Sequence, residues 1–343
     1  MLCRTQVVGE DGGLAKMTTL PDSITIRTGA RLHFGLLDCK PPFGGLGLMI
    51  DSPATEVEAV SDKSFAIDSS IESAGLAART KAIASRAAKH FRCGEADEIR
   101  LPPIKLKLKC QPPKHSGFGS GTQYSLAIAE ACCRAIAFET VPEETMVIDI
   151  AGRARRSAVG AHGYLAGGLI YETNDDCSPR LNPIAKRIDL PRQWRVLLVR
   201  PRKAKPAVAG ADEQRRFDQL RHDRKRTEML IRLVEDEVMP AAARQDFHGF
   251  SEAIERYNRE SGLLFASIQG GPYNGTAVNG AIDRLKQLGA VGVGQSSWGP
   301  TVFAWCEDRS RADSLASSLS GSDWVTLVTT AKAGGRTLTT PGQ

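Results

Sequence analysis

Residues 112–128 read P-P-K-H-S-G-F-G-S-G-T-Q-Y-S-L-A-I, and the segments on either side show what they connect. Before them, Ile104, Leu106 and Leu108 alternate with Lys105, Lys107 and Lys109, the period of a half-buried strand. After them, Leu126, Ile128, Ala129, Ala131, Cys132, Ala135 and Ile136 recur at helical spacing. The junction holds Gly117, Gly119 and Gly121, with Ser120 and Thr122 at the helix start and Lys114 and His115 just upstream. Glycines let a backbone approach a ligand closely. The first turn of a helix leaves N–H groups unpaired and attracts anions. The stretch therefore reads as a cradle for phosphate or pyrophosphate. The plainer alternative is a glycine turn capped by Ser120 or Thr122 with nothing bound. It is not a Walker loop, because no G-K-[ST] follows the glycines, and G-x-G-x-G lacks the dinucleotide spacing.

Three other segments carry polar residues in suggestive places. In G-A-R-L-H-F-G-L-L-D (29–38), Arg31 and His33 share one face of an extended chain, while Leu32, Phe34 and Leu36 share the other. With Asp38 they suit a site wall, although a strand with a solvated face carries the same pattern. F-G-G-L-G-L-M-I-D (43–51) offers Gly44 and Gly45 for a close approach and Asp51 at its end, and reads equally as a hairpin. In A-G-R-A-R-R-S-A-V-G (151–160), guanidinium groups suit phosphate or carboxylate. The spacing of three predicts Arg153 and Arg156 on one helical face.

The loop resembles the phosphate loop of the GHMP kinase superfamily, P-x-x-x-G-L-G-S-S-A, with Ser120-Gly121-Thr122-Gln123 in place of Ser-Ser-Ala. That variant resembles the beta-ribofuranosylaminobenzene 5'-phosphate synthase branch. R-L-H-F-G-L-L-D, G-G-x-G-x-x-I-D and G-R-x-x-R-S-x-x-G…G-G-L-I resemble the same branch. The resemblance implies an α+β, GHMP-kinase-like two-domain fold. Its N-terminal domain is ribosomal-protein-S5-like (23–185), its C-terminal domain ferredoxin-like α+β (186–343), and the ligand lies between them. It also implies an enzyme, a glycosyltransferase that joins phosphoribosyl pyrophosphate to 4-aminobenzoate or 4-hydroxybenzoate and releases carbon dioxide and pyrophosphate.

On that footing Arg31, His33, Asp38 and Asp51 are catalytic candidates. Lys114, His115, Gly117, Gly119, Ser120, Gly121 and Thr122 are expected to bind phosphate. Gly44, Gly45, Gln123, Arg153, Arg156, Ser297 and Trp298 are expected to bind substrate. Mg²⁺ is expected with no ligand set assigned, and no organic cofactor is needed, because the ring amine or hydroxyl supplies electrons to the attacking carbon. GHMP kinases carry a late loop like K-x-[ST]-G-A-G-x-G-G. Here the position reads Q-S-S-W-G-P (295–300), whose Trp298 and Pro300 would crowd a nucleotide phosphate. An ATP-dependent kinase or a non-catalytic metabolite sensor on the same fold are the competing readings.

Composition bounds the rest. The 343 residues suffice for one large or two medium domains, and a 41% hydrophobic content is ordinary for a globular chain. No signal-peptide core or long apolar run occurs, so a cytoplasmic protein without membrane contact is expected. The net charge of +6 suits an anionic substrate and is too mild to call for nucleic acid. Eight cysteines without C-x-x-C spacing or a histidine cluster read as reduced thiols. Small molecules are the expected partners, and the oligomeric state is open, a homodimer included. Residues 1–22 lack periodicity and read as a flexible tail, with Met17 a candidate start. Residues 71–91 predict a helix, 175–193 a linker, 200–205 a loop and 212–238 one long charged helix. Helices over 247–261, 276–288 and 308–319 and strands over 194–199, 301–306 and 324–329 complete the C-terminal half.

Overall fold

A computed structural model describes residues 22–71, 73–91, 93, 99–137, 141–173, 180–202, 211–319, 321 and 323–341. The expected tail before residue 22 and the basic stretch 203–205 lie outside these residues. The chain starts with β1 (Ser23–Leu36), β2 (Gly45–Ser61), β3 (Ala66–Ile67), α1 (Ala74–His90), β4 (Ile104–Cys110) and α2 (Ser120–Ala137). It continues through α3 (Val159–Ala166), β5 (Leu169–Glu172), β6 (Ile184–Ile188), β7 (Arg195–Pro201), α4 (Ala211–Gln219) and α5 (Arg224–Arg232). Then come α6 (Met239–Ala243), α7 (Phe247–Gly262), α8 (Ala266–Gln269), α9 (Thr276–Gln287), β8 (Val291–Gln295), β9 (Val302–Cys306), α10 (Arg309–Ser318), β10 (Trp324–Thr329) and β11 (Thr337–Thr339).

Two sheets organise these elements. The first runs β11-β1-β2-β4-β3, with β5 and β6 continuing from the first half of β2. The second runs β10-β7-β9-β8. β1 continues through Gly29 and Gly35 as one strand, with bulges after Thr28 and His33. Its apolar alternation places Ile24 and Ile26 against α1 and α2. Leu32 and Phe34 join a second core with Trp194, Phe250, Tyr257 and Trp305, which ties the two halves together. Phe34 meets Phe303 edge-on at 5.1 Å. The chain end returns to the first sheet, where β11 pairs with β1. Arg336 makes two 2.9 Å bonds to buried Glu130, which also accepts from Tyr164 and Arg134.

Several expectations change. The long helix over 212–238 is interrupted between α4 and α5, where the Asp223 side chain accepts from the Arg226 N–H and starts a new helix. The linker over 175–193 contains β6, which pairs with β5 and straddles the expected boundary at residue 186. Arg153 and Arg156 do not share a helical face, because positive φ at Gly152 (68°) and Ala154 (61°) keeps the chain irregular until α3. Among the described residues no helix is long and apolar enough to cross a membrane.

Candidate active site

A cleft of about 1090 Å³ opens where the glycine loop, the C-terminal end of β1, α4 and the loop after β8 converge. Gly117 (φ 94°) and Gly119 (φ 65°) take backbone conformations that disfavour other residues. A Cβ on Gly117 would run into the Ser296 carbonyl, so glycine here also lets the late loop lie directly on the phosphate loop. The loops are fastened together. Ser296 Oγ donates to the Gly117 carbonyl at 2.8 Å and accepts the His33 N–H at 3.1 Å. The Ser297 N–H donates to the His33 carbonyl at 3.0 Å, and the Arg31 N–H to the Phe118 carbonyl at 2.9 Å.

Cations crowd the loop. Lys114 Nζ bonds Ser73 Oγ at 2.9 Å. Arg153 Nη2 donates to the Gly121 carbonyl (2.7 Å) and to Ser125 Oγ (2.8 Å). Arg79 on α1 lies against Gly121, with Nη1 3.3 Å from where a Cβ would sit, and Arg31 Nε stands 3.2 Å from the same position on Gly119. Arg31 Nε and Arg153 Nε are both buried without a hydrogen-bond partner among the described residues. Burial lowers both guanidinium groups to about 10. For Arg31, Glu213 and Glu172 pull the other way, whereas Arg79, Arg155 and Arg86 add to the effect on Arg153. Part-buried cations whose buried Nε–H groups lack bonds among the described residues are what an anion would complete.

The opposite wall is aromatic. Phe217 packs on Phe265 (5.4 Å) and Trp298 (6.0 Å), Trp298 on Phe265 (5.2 Å), and Phe43 on Phe217 (6.0 Å). Arg156 lies 4.4 Å over the Phe217 ring and pairs with Glu213 at 2.6 Å. Glu213 is the one carboxylate among the described residues lining the cleft.

Of the candidates named from sequence, Arg31, His33, Lys114, His115, Gly117, Gly119, Ser120, Gly121, Thr122, Arg153, Arg156, Ser297 and Trp298 line this cleft. Asp38, Asp51, Gly44, Gly45 and Gln123 do not. The Asp38 carboxylate is buried below the turn after β1. It accepts from Thr227 Oγ1 (2.8 Å) and the Lys40 N–H (2.9 Å) and sits 2.6 Å from His222 Nδ1. Asp51 lies on β2 between Arg27 (3.7 Å) and Lys332 (3.9 Å). Gly44 forms the turn into β2, and Gly45 pairs with Leu36 and Glu172. Gln123 is internal, accepting from Thr28 Oγ1 and donating to the Gly160 carbonyl, both at 2.8 Å. Sequence reading missed Arg79, Glu213 and Phe217 at the cleft and Glu172 behind it; each looked like an ordinary helix or strand residue.

Comparison with known proteins adds to this geometry. Residues 238–324 match the profile "GHMP kinases C terminal". The chain carries a GHMP kinase C-terminal domain and has the GHMP-kinase fold. A homoserine kinase from Cytophaga hutchinsonii superposes with a TM-score of 0.62 at 13% identity, covering 94% of this chain and 99% of that one. The chain is 24% identical over 312 residues to the beta-ribofuranosylphenol 5'-phosphate synthase of Methanothermobacter thermautotrophicus, covering 83% of this chain and 89% of the relative. It is 25% identical over 335 residues to the protein of that name from Archaeoglobus fulgidus, covering 90% and 97%. In the late loop of this fold, Trp298 turns into the aromatic wall and Ser296 bolts the backbone to the glycine loop.

Proposed function

We propose that the protein is a beta-ribofuranosyl-arene 5'-phosphate synthase. It joins the anomeric carbon of phosphoribosyl pyrophosphate to the ring of 4-hydroxybenzoate or 4-aminobenzoate and releases carbon dioxide and pyrophosphate. Two lines support the reading: the names of relatives matched over most of the chain, and the pair of buried, unpartnered guanidinium N–H groups beside the glycine loop. The relatives' names describe a ribofuranosylphenol, so the hydroxy acid is the first acceptor to test.

In this reading the N–H groups opening α2, with Lys114, Arg79, Arg153 and Arg31, hold the departing pyrophosphate and stabilise its growing charge. The acceptor ring lies along Phe217, Phe265 and Trp298, opposite that anion site. Such a wall excludes water from a ribosyl centre that water would otherwise attack. Glu213 is the carboxylate placed to face positive charge on the ribosyl ring, and Arg156, now paired with it, is the cation nearest the acceptor's carboxylate. The donor set does not build a resident magnesium site, since no three His, Cys, Asp or Glu side chains cluster suitably among the described residues. Magnesium therefore enters with the donor, as the counter-ion of its pyrophosphate.

The test is incubation with phosphoribosyl pyrophosphate, Mg²⁺ and either acid labelled in its carboxyl carbon. Labelled carbon dioxide should be released in step with pyrophosphate, and calorimetry should show the donor binding more tightly than ATP. Tight ATP binding and phosphorylation of an alcohol, with no label released, would replace this reading with a kinase.

A further inference from the structure

Glu172, at the end of β5, is fully buried and has no role in the scheme above. Its oxygens are engaged with the start of α3. Oε1 accepts the Ala158 N–H at 2.8 Å, and Oε2 accepts the Val159 N–H at 3.3 Å and the Ser157 hydroxyl at 2.8 Å. Residue 158 is alanine and cannot cap its own helix, so the carboxylate from β5 does so. While Glu172 is ionised, Ser157 therefore has its single proton directed at that carboxylate, and only its lone pairs remain for other neighbours. One of those neighbours is His33, whose Nε2 lies 3.3 Å from Ser157 Oγ. A hydroxyl oxygen whose proton points elsewhere can only accept from the ring. A neutral imidazole carries one N–H, so placing it on Nε2 leaves a bare lone pair on Nδ1.

We propose that Ser157 and Glu172 are positioning residues that hold His33 as the Nε2–H tautomer, so that Nδ1 serves as proton acceptor for the substrate's para hydroxyl or amine. Burial, with Arg31 beside it, keeps His33 well below the usual histidine value, so the ring is neutral before substrate arrives. The role rests on the synthase reading, and its chemistry balances there. As the ring carbon attacks the anomeric carbon, the O–H bond breaks, its pair enters the ring to give a dienone, and Nδ1 takes the proton. When carbon dioxide leaves, the C–C pair restores the aromatic ring and pushes electrons back to oxygen, which recovers the proton from Nδ1. The imidazolium formed in between is steadied through Ser157 by the Glu172 carboxylate. This is the division of labour in which an orienting group fixes a histidine's tautomer without itself reacting.

The experiment reads the tautomer directly by long-range ¹H–¹⁵N NMR on histidine-labelled protein, with His33 assigned from a His33→Asn sample. At pH 8, where Glu172 is ionised, native protein should show the Nε2–H pattern for His33. Ser157→Ala leaves Glu172 to cap α3, so the fold should persist. It should shift His33 toward the other tautomer and lower kcat by about ten- to a hundredfold, with donor KM changed less than about twofold. Ser157→Thr, which restores the hydroxyl, should recover both signals. A native Nδ1–H pattern, or a Ser157→Ala enzyme with unaltered tautomer and kcat, overturns the proposal. If native protein releases no carbon dioxide the synthase reading fails separately, and the NMR arm still judges the tautomer.

Discussion

Arg31 should make the ligand-free protein less stable than it could be, and Arg31→Met tests this. The side chain is half-buried at the cleft, and its buried Nε has no partner among the described residues. Burial lowers the guanidinium from its ordinary value to about 10, even with Glu213 and Glu172 pulling it up. A lowered cation value means the charged form is disfavoured in the fold at every pH below about 10, so the penalty stands in full at pH 7. At 1.36 kcal/mol per pK unit, that penalty is on the order of 3 kcal/mol. Methionine keeps much of the apolar stem and removes the charge, so ligand-free Arg31→Met should be more stable by roughly 1–3 kcal/mol in urea titrations, the range allowing for lost stem packing.

Ligand should reverse the ranking. Magnesium pyrophosphate on the glycine loop would complete the Nε–H bond, and a hydrogen bond to a charged group is worth about 1.5–3 kcal/mol. Its dissociation constant should therefore rise roughly ten- to a hundredfold in the variant, and saturating ligand should stabilise native protein more than the variant. A ligand-free variant less stable than native by more than about 1 kcal/mol, with pyrophosphate affinity unchanged, would mean that Arg31 is an ordinary structural cation and that the anion site lies elsewhere.

Gly117→Ala adds a Cβ at φ 94° and drives it into the Ser296 carbonyl; the left-handed backbone alone costs about 1–2 kcal/mol, so both melting temperature and pyrophosphate affinity should fall, and native values for both would show that the two loops can part freely. Burial raises Glu172 to about 7. Because its folded value is raised, its contribution is complete below the ordinary carboxylate range and is lost as pH climbs through about 7. The unfolding free energy of native protein minus that of Glu172→Gln should thus drop by about 3 kcal/mol between pH 4 and 8, and a pH-independent difference would refute the assignment. Arg336→Ala removes two of the bonds that satisfy Glu130 and undocks the segment carrying β11. A loss of about 2 kcal/mol is expected in chemical denaturation, and no change would show that the chain end adds nothing to stability.

What could be read from the sequence was what is local. The glycine loop was legible because strand period, turn residues and helix period follow one another directly between Ile104 and Ile136. Leu32 and Phe34 were legible as core, and Arg31 and His33 as cleft-facing, because alternation survives in β1. Asp38 misled because the bulge after His33 and the turn beyond β1 send its carboxylate down to Thr227, 189 residues away. Arg79 was invisible for the opposite reason. An arginine on the polar face of an alanine-rich helix looks like any other, and only packing of α1 on α2 brings it to Gly121. Glu172 read as the end of a strand; that it caps a helix starting thirteen residues earlier depends on the β5–β2 pairing, which no periodicity encodes.

The arrangement of charge across the cleft fits substitution at one carbon. Displacement at the anomeric carbon needs an anion leaving on one side and an electron-rich ring arriving on the other. The cations belong to α1, the glycine loop, β1 and the segment before α3, whereas the rings of Phe217, Phe265 and Trp298 belong to α4, the turn after α7 and the late loop. The two walls thus come from different halves of the chain, and the contacts at Ser296 and Gly117 fix their separation. The late loop takes part in both walls. Here the loop braces the anion cradle with its backbone and presents a tryptophan to the opposite wall. Ser296 should therefore matter for geometry more than for affinity. Ser296→Ala removes both clamps, the bond to the Gly117 carbonyl and the one from the His33 N–H. It should lower kcat while pyrophosphate binding, which depends on the cations, changes little. A variant that loses pyrophosphate affinity in proportion to kcat would show that the clamp shapes the cradle itself, not the distance between its walls.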